Sequence, residues 1–109
     1  METRKKPYSE QEMMQIHKDA TRLPAELVER GVVLCAPIRS DWKTSVVKLF
    51  LEPRAKIKMH KHEAEREEYL FLKPESRPVE ICNPGDSHEL ENNTGDWMEV
   101  WATKTKVRL

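Results

Sequence analysis

Short apolar runs separated by turn residues dominate this chain from Gly31 onward, and they limit what it can fold into. Residues 32–36 form one run that is stopped by Pro37, and residues 45–51 form a second that is stopped by Pro53. Further short strands are predicted at 55–62, 67–72, 79–82 and 97–103. Short strands at regular spacing with turn signals between them favour a β-sandwich or β-barrel, so we predict an all-β fold.

The N-terminal part of the chain has a different pattern and is predicted to be helical. Ser9 followed by Glu12 matches a capping box, in which a hydroxyl caps the helix and an acid three residues on returns the hydrogen bond. Residues 25–30 are predicted to form a further helical turn that ends at Gly31. His17 falls in the helical stretch, where we expect it on the helix surface.

Length and composition narrow the organisation and exclude some functions. The chain has 109 residues, which indicates one compact unit, with a tail and helical segment in 1–30 packing on a β-barrel in 31–109. Its 19 Lys and Arg balance 19 Asp and Glu, so nucleic-acid binding has little support. No apolar segment approaches the roughly 20 residues of a membrane span, and the N-terminus lacks a signal peptide's apolar stretch. Cys35 and Cys82 are predicted to be buried free thiols, and a reducing cytoplasmic location is expected.

His60 and His62 are separated by one residue in a predicted strand. Side chains two residues apart in a strand lie on the same face, so the two imidazoles point the same way. If that face is inward, a divalent metal would satisfy ring nitrogens that are otherwise costly to bury. The alternative is an exposed edge-strand pair beside Lys58 and Lys61. The spacing alone leaves both possibilities open.

Two stretches of sequence together resemble the paired motifs of the cupin superfamily. The first is His-x-His, four residues and then Glu, which matches His60, His62 and Glu67. The second is Pro-Gly, two residues, His, three residues and Asn, which ends in His88 and Asn92. The resemblance implies a small cupin-type, jelly-roll-like β-barrel. It also implies one divalent metal ion per chain (Zn, Fe, Mn or Ni) with His60, His62, Glu67 and His88 as ligands.

The acid in the first motif has a neighbour that could replace it. Strand alternation allows only one of Glu67 and Glu68 to face the metal. The four-residue gap after His62 favours Glu67, and in that case Tyr69 and Phe71 line the pocket beside it. Asn92 is expected to hold the turn after His88 instead of binding the metal.

The chain departs from the cupin motifs in ways that affect the predicted barrel. Arg54 and Pro74 stand where the first motif usually has glycines. Between the two motifs, where cupins normally insert at least one further hairpin, this chain has only residues 73–78 and one short strand. The barrel should therefore be reduced, with one side either open or covered by another part of the assembly, for which the N-terminal helices and a second subunit are the candidates. Exposed strand edges and apolar surface on such a barrel lead us to predict a homodimer.

The last predicted strand supplies a candidate catalytic residue, Glu99. Trp97, Glu99 and Trp101 share one strand parity, so an inward face would bring an acid and two indoles near the metal. The alternative is that the tryptophans only fill a small core. Two functions are open: a metal-dependent enzyme, such as an oxygenase or isomerase, acting on a carbohydrate derivative or small carboxylic acid; or a non-catalytic small-molecule binding or sensor module.

Overall fold

The computed structural model describes residues 9–60, 63–74 and 77–107, and these contain one α-helix and eight β-strands. The helix α1 spans Glu10–Thr21. The strands are β1 (Ala25–Glu29), β2 (Val32–Ser40), β3 (Thr44–Leu51), β4 (Lys56–His60), β5 (Glu65–Lys73), β6 (Glu80–Cys82), β7 (His88–Glu91) and β8 (Met98–Lys106). A six-stranded sheet has the order β1-β2-β3-β8-β5-β6, and β4 and β7 form a two-stranded sheet. Every ladder is antiparallel.

Helix α1 begins at the capping box that the sequence predicts. The Glu12 backbone N–H donates to Ser9 Oγ at 3.1 Å, and the Ser9 N–H donates to Glu12 Oε1 at 2.9 Å. These hydrogen bonds lower the pKa of the Glu12 carboxyl. The helix ends at Arg22, whose left-handed backbone (φ 60°) lets its N–H donate to the Lys18 carbonyl.

The main apolar core lies between the two sheets. Alternation along each strand sends every second side chain to this inner face, and directly opposite residues such as Leu49 and Val100 share it. The buried members of this inner cluster are Val32, Leu49, Leu51, Tyr69, Phe71, Cys82, Leu90, Met98, Val100 and Ala102. Full burial of one large apolar side chain contributes about 1.5–3 kcal/mol, so this cluster is the main source of stability for the barrel.

A second apolar cluster lies on the opposite, outer face of the six-stranded sheet. It consists of Met13 from α1 with Val33, Cys35 and Phe50 from β2 and β3, and Trp97 packs against it. These strand residues alternate with the members of the inner cluster, which explains why one sheet carries two cores. Helix α1 therefore covers the outer face of β1 to β3.

Residues 25–30 are not helical, and that prediction was wrong. Ala25–Glu29 is the edge strand β1, which pairs with β2 and has alternating half-buried and exposed residues. Pairing with β2 and burial of every second side chain outweigh the local helix signals. Gly31 makes the turn into β2 with φ +78°, a left-handed conformation that favours glycine. A Cβ atom there would lie only 3.0 Å from the Cβ of Ala55.

Pro37 does not end the second strand, contrary to the sequence prediction. Strand β2 continues to Ser40, and its register with β3 shifts between Cys35 and Arg39. A proline has no N–H to donate, so it is tolerated where the ladder is already irregular.

Asn92 fixes the segment that follows the second motif. Its side chain is fully buried, and Nδ2 donates to the carbonyls of Leu51 (2.9 Å), Glu52 (3.0 Å) and Asp96 (2.7 Å). Its Oδ1 accepts from the backbone N–H and the hydroxyl of Thr94. Asn92 thus holds this turn and ties it to the end of β3, as expected.

The connection between β5 and β7 is short. In the part of it that the structure describes, β6 is the single strand, three residues long and paired with β5. The barrel is therefore reduced, as the sequence predicts. Cys35 and Cys82 are buried and not disulfide-bonded, and burial raises the pKa of both thiols. Among the described residues, no helix has the length and apolar character needed to cross a membrane.

Candidate metal centre

Alternation along β5 decides which of two adjacent acids enters the barrel. Glu67 is 4% exposed and lies on the same face as the buried Tyr69 and Phe71. Glu68 lies on the outer face, where its Oε1 is 3.1 Å from Nη2 of Arg66. The acid facing the barrel interior is thus Glu67, the one favoured by the four-residue gap. Its role as a metal ligand stays a prediction.

A turn and a short strand place His88 beside Glu67. In the turn, the Asp86 N–H donates to the Asn83 carbonyl at 3.0 Å, and Gly85 adopts φ +86°. His88 then begins β7, and its side chain is only 8% exposed. Its Nε2 lies 2.9 Å from Glu67 Oε1. The two sequence motifs therefore meet inside the barrel.

Tyr69 orients the carboxylate of Glu67. Its hydroxyl donates to the same Oε1 atom at 2.9 Å, and its ring meets the His88 ring edge-on with centroids 5.9 Å apart. Burial raises the pKa of Tyr69 well above its ordinary value, and the negative charge of Glu67 raises it further. The hydroxyl consequently stays protonated at neutral pH and donates its hydrogen bond to Glu67.

The pair of Glu67 and His88 fits part of a metal site in both chemistry and spacing. Carboxylate oxygen and imidazole nitrogen bind divalent ions at about 2.0–2.2 Å, so two neighbouring ligands on one ion lie about 3 Å apart. The 2.9 Å between Oε1 and Nε2 matches that separation, and it equally suits a direct hydrogen bond. The two residues thus fit a metal without rearrangement of the strands that carry them.

The other two predicted ligands belong to β4 and the residues after it. The backbone of His60 is the register partner of His88 across the β4–β7 ladder, which places these two positions side by side. The His60 side chain and all of His62 fall outside the described residues. Among the residues that are described, no group of three His, Cys, Asp or Glu side chains comes together. The four-ligand site therefore stays a prediction.

Glu67 opens onto a cavity of about 410 Å³ inside the barrel. Apolar side chains form much of its wall, namely Leu34, Val47, Leu49, Ile57, Tyr69 and Ala102. Its volume lies in the lower part of the range for small-molecule sites. The polar wall includes Ser45 and Lys104, which the sequence analysis missed. Strand parity with the buried Ala102 was a signal that could have placed Lys104 on the inner face.

Glu99 lies on the outer face of β8, away from this cavity. Its carboxylate is 2.8 Å from Nζ of Lys48 on the outer face of β3. Trp101 shares that face and is 36% exposed, and Trp97 packs against the outer cluster. The prediction that these three residues face the metal was wrong, because parity shows which residues share a face but not which face is inward. Glu99 has no part in the function proposed below.

His17 is buried under α1, and its predicted surface position was wrong. The side chain is 7% exposed, stacks on Phe50 with ring centroids 3.8 Å apart and meets Trp97 edge-on at 4.9 Å. Desolvation lowers the pKa of His17 to about 4, although the charge of Glu99 acts in the opposite direction. Its position four residues after the buried Met13 is the signal that predicts this inward face.

No protein-family model matches the sequence, and no curated protein matches it at a significant level. The fold is nevertheless similar to solved structures. A predicted oxalate decarboxylase from Thermotoga maritima has a TM-score of 0.68 and 22% identity, covering 80% of this chain and 96% of that one. The cupin domain of Schizosaccharomyces pombe Cnp3 has a TM-score of 0.68 and 7% identity, covering 80% and 71%.

An RmlC-like cupin from Shewanella frigidimarina has a TM-score of 0.61 and 12% identity, covering 81% of this chain and 87% of the other. Identities this low show the fold and do not carry activity across. The fold is an all-β cupin barrel, as the resemblance of the two motifs implied.

Proposed function

We propose that this chain, which has the fold of a small single-domain cupin, binds one divalent metal ion and holds a small molecule beside it in the barrel. The observation that carries the proposal is the 2.9 Å approach of His88 to Glu67 inside the barrel. The proposed ligands are His60, His62, Glu67 and His88. This set of nitrogen and oxygen donors suits Zn, Fe, Mn or Ni.

The described residues contribute binding and orientation. When bound, the ion would supply Lewis-acid chemistry, polarising a carbonyl or hydroxyl or acidifying a water molecule. Tyr69 holds the Glu67 carboxylate in one orientation through its 2.9 Å hydrogen bond. The apolar wall around Val47 and Leu49 would contact the apolar part of a bound ligand.

A ligand in this cavity would either be bound without change or be converted to a product. The structure supports binding more directly than turnover. With Glu99 on the outer face, Glu29 and Glu67 are the acids that line the cavity among the residues the structure describes. Glu67 is a proposed metal ligand, so Glu29 or a metal-bound water would have to serve as the general acid or base. A binding or sensor module is thus the simpler candidate. An enzyme acting on a small polar metabolite is the second, favoured by the direct opening of Glu67 onto the cavity.

The metal proposal is tested on full-length protein that carries no histidine tag and is purified without added metal. Elemental analysis should find about one equivalent of a divalent metal per chain. His88→Ala should abolish this binding, whereas His17→Phe, which also removes one histidine, should leave it intact. A metal-free protein that also fails to bind Zn²⁺, Fe²⁺, Mn²⁺ and Ni²⁺ on titration would reject the proposal.

Turnover is tested on the metal-loaded protein with panels of sugar derivatives and small carboxylic acids. Product formation that His88→Ala abolishes would establish the enzyme. Saturable binding without product would establish the binding module. If neither panel binds, the small-molecule part of the proposal is wrong.

A further inference from the structure

Three polar residues form a row across the inner face of the six-stranded sheet. Lys104 on β8 is the register partner of Ser45 on β3 and of Glu67 on β5. Directly opposite residues of antiparallel strands share a face, and all three line the cavity. Neighbouring strands lie about 4.8 Å apart, so the row spans about 10 Å with Lys104 in the middle.

Two members of the row present hydrogen-bond donors to the cavity. The Lys104 side chain is half-buried and makes no ion pair with any residue in the described ranges. The Ser45 hydroxyl likewise makes no hydrogen bond within them. Lys48, on the outer face of the same sheet, is by contrast paired with Glu99 at 2.8 Å. An ammonium group in a partly desolvated cavity attracts an anion more strongly than one in open water does.

The third member of the row, Glu67, is the register partner of Lys104 on the side away from Ser45, so a carboxylate bound between Lys104 and Ser45 has the ammonium group between itself and Glu67. Glu67 Oε1 accepts a hydrogen bond from Tyr69 and lies 2.9 Å from His88 Nε2. Under the proposed function, a divalent ion would offset the negative charge of Glu67. The donors of Lys104 and Ser45 then set the charge preference of this wall of the cavity.

The rest of the cavity lining is largely apolar, with Glu29 and Lys58 as its further charged residues. Leu34, Val47, Leu49 and Ile57 would face the body of any ligand bound at the row. A fully hydrated inorganic ion would leave these side chains without contacts. The cavity therefore fits a molecule with one anionic end and an apolar body.

We propose that the cavity selects small organic carboxylates, with the carboxylate bound by Lys104 and Ser45 and the apolar body against the aliphatic wall. This inference deepens the proposed function because it names the ligand class of the same small-molecule site. It does not require that the metal be present.

The test uses benzoate and its neutral isostere benzamide as probes, measured by calorimetric titration of the full-length protein. Benzoate should bind roughly tenfold more tightly than benzamide, because a hydrogen-bonded ion pair is lost in the amide. Lys104→Met should remove that tenfold preference, and Lys104→Arg should retain it. Lys106→Met is the matched control, since Lys106 is exposed on the same strand and does not line the cavity.

Each titration is run on both metal-free and Zn²⁺-loaded protein, because a carboxylate can also bind a metal directly. A preference for benzoate that depends on Lys104 in both forms supports the inference. The inference is overturned if Lys104→Met binds benzoate as wild type does, if Lys106→Met loses as much affinity, or if benzoate fails to bind at millimolar concentration. A protein that binds no metal but keeps the Lys104-dependent preference would reject the metal proposal alone.

Discussion

Glu67 Oε1 lies 2.9 Å from His88 Nε2, although the two residues are 21 positions apart and belong to different sheets. The contact joins the six-stranded sheet to the two-stranded sheet at a point where both side chains are almost fully buried. A buried polar group retains its position only when its partners are in place. The pair therefore makes the geometry of the proposed site depend on the packing of the two sheets against each other.

Glu67→Gln is expected to weaken metal binding by at least about tenfold, because it removes the negative charge while keeping the size of the side chain. Competition between the protein and a chelator for Zn²⁺ measures this affinity. Glu68→Gln is the matched control, since Glu68 lies on the outer face beside Arg66. The opposite pattern, with Glu68→Gln weaker and Glu67→Gln unchanged, would move the ligand to Glu68.

His17 is expected to make the stability of the fold depend on pH. Burial lowers its pKa to about 4 from an ordinary value of 6.5, so the unfolded chain binds a proton more readily than the native one. The contribution of neutral His17 to stability is therefore full above about pH 6.5 and is lost as the pH falls toward 4. Between pH 7 and pH 5 the loss amounts to about 2 kcal/mol.

His17→Phe removes the titrating group and keeps a ring that can stack on Phe50. Urea unfolding of wild type and variant at pH 7 and pH 5 isolates the contribution of this histidine, because the other titrating groups are common to both proteins. The loss of stability should be about 2 kcal/mol smaller in the variant. Equal losses in both proteins would show that His17 is not the group responsible.

Asn92→Ala is expected to destabilise the protein by about 1–3 kcal/mol, because it removes a fully buried amide that donates to three carbonyls and leaves the buried carbonyl of Leu51 without this donor. Chemical denaturation measures the free energy of unfolding. Asn93→Ala tests the same substitution at an exposed neighbour and should change stability by less than about 0.5 kcal/mol. Similar losses in the two variants would contradict the role assigned to Asn92.

The homodimer stays a prediction that the structure of one chain does not test. Apolar side chains are exposed on the outer face of β5, β6 and β8, where Leu70 is the register partner of Trp101 and Ile81 is 50% exposed. Exposed apolar surface of this kind favours association. Sedimentation at micromolar concentration should give twice the mass of one chain. A monomer would contradict the prediction.

The alternation of strand residues made part of the site predictable. The four-residue gap and the period of two together placed Glu67 inward, and the Asn that closes the second motif was correctly expected to hold a turn. Both depend on local spacing, which the sequence displays directly. The cupin motifs also identified the fold, since they specify the order of strands and turns around the barrel.

Two of the errors concern facts that depend on distant parts of the chain. Parity grouped Glu99 with Trp101, but the face they occupy is decided by which side of the sheet packs on β4 and β7. Ala25–Glu29 is a strand because it pairs with β2 at the edge of the sheet. The local sequence does not show that this edge is available for pairing. The error for His17 is of a different kind, because its position four residues after Met13 was a local signal for the face of α1 that packs on Phe50.

The six-stranded sheet separates two cores that use alternate residues of the same strands. In β3, Leu49 belongs to the inner cluster and Phe50 to the outer one. A substitution in α1 can therefore reach the cavity only by displacing the backbone of the sheet, which is held by ladders on both sides of β3. The cavity is thus mechanically insulated from the helix, and substitutions on the exposed surface of the helix should leave the shape of the cavity unchanged.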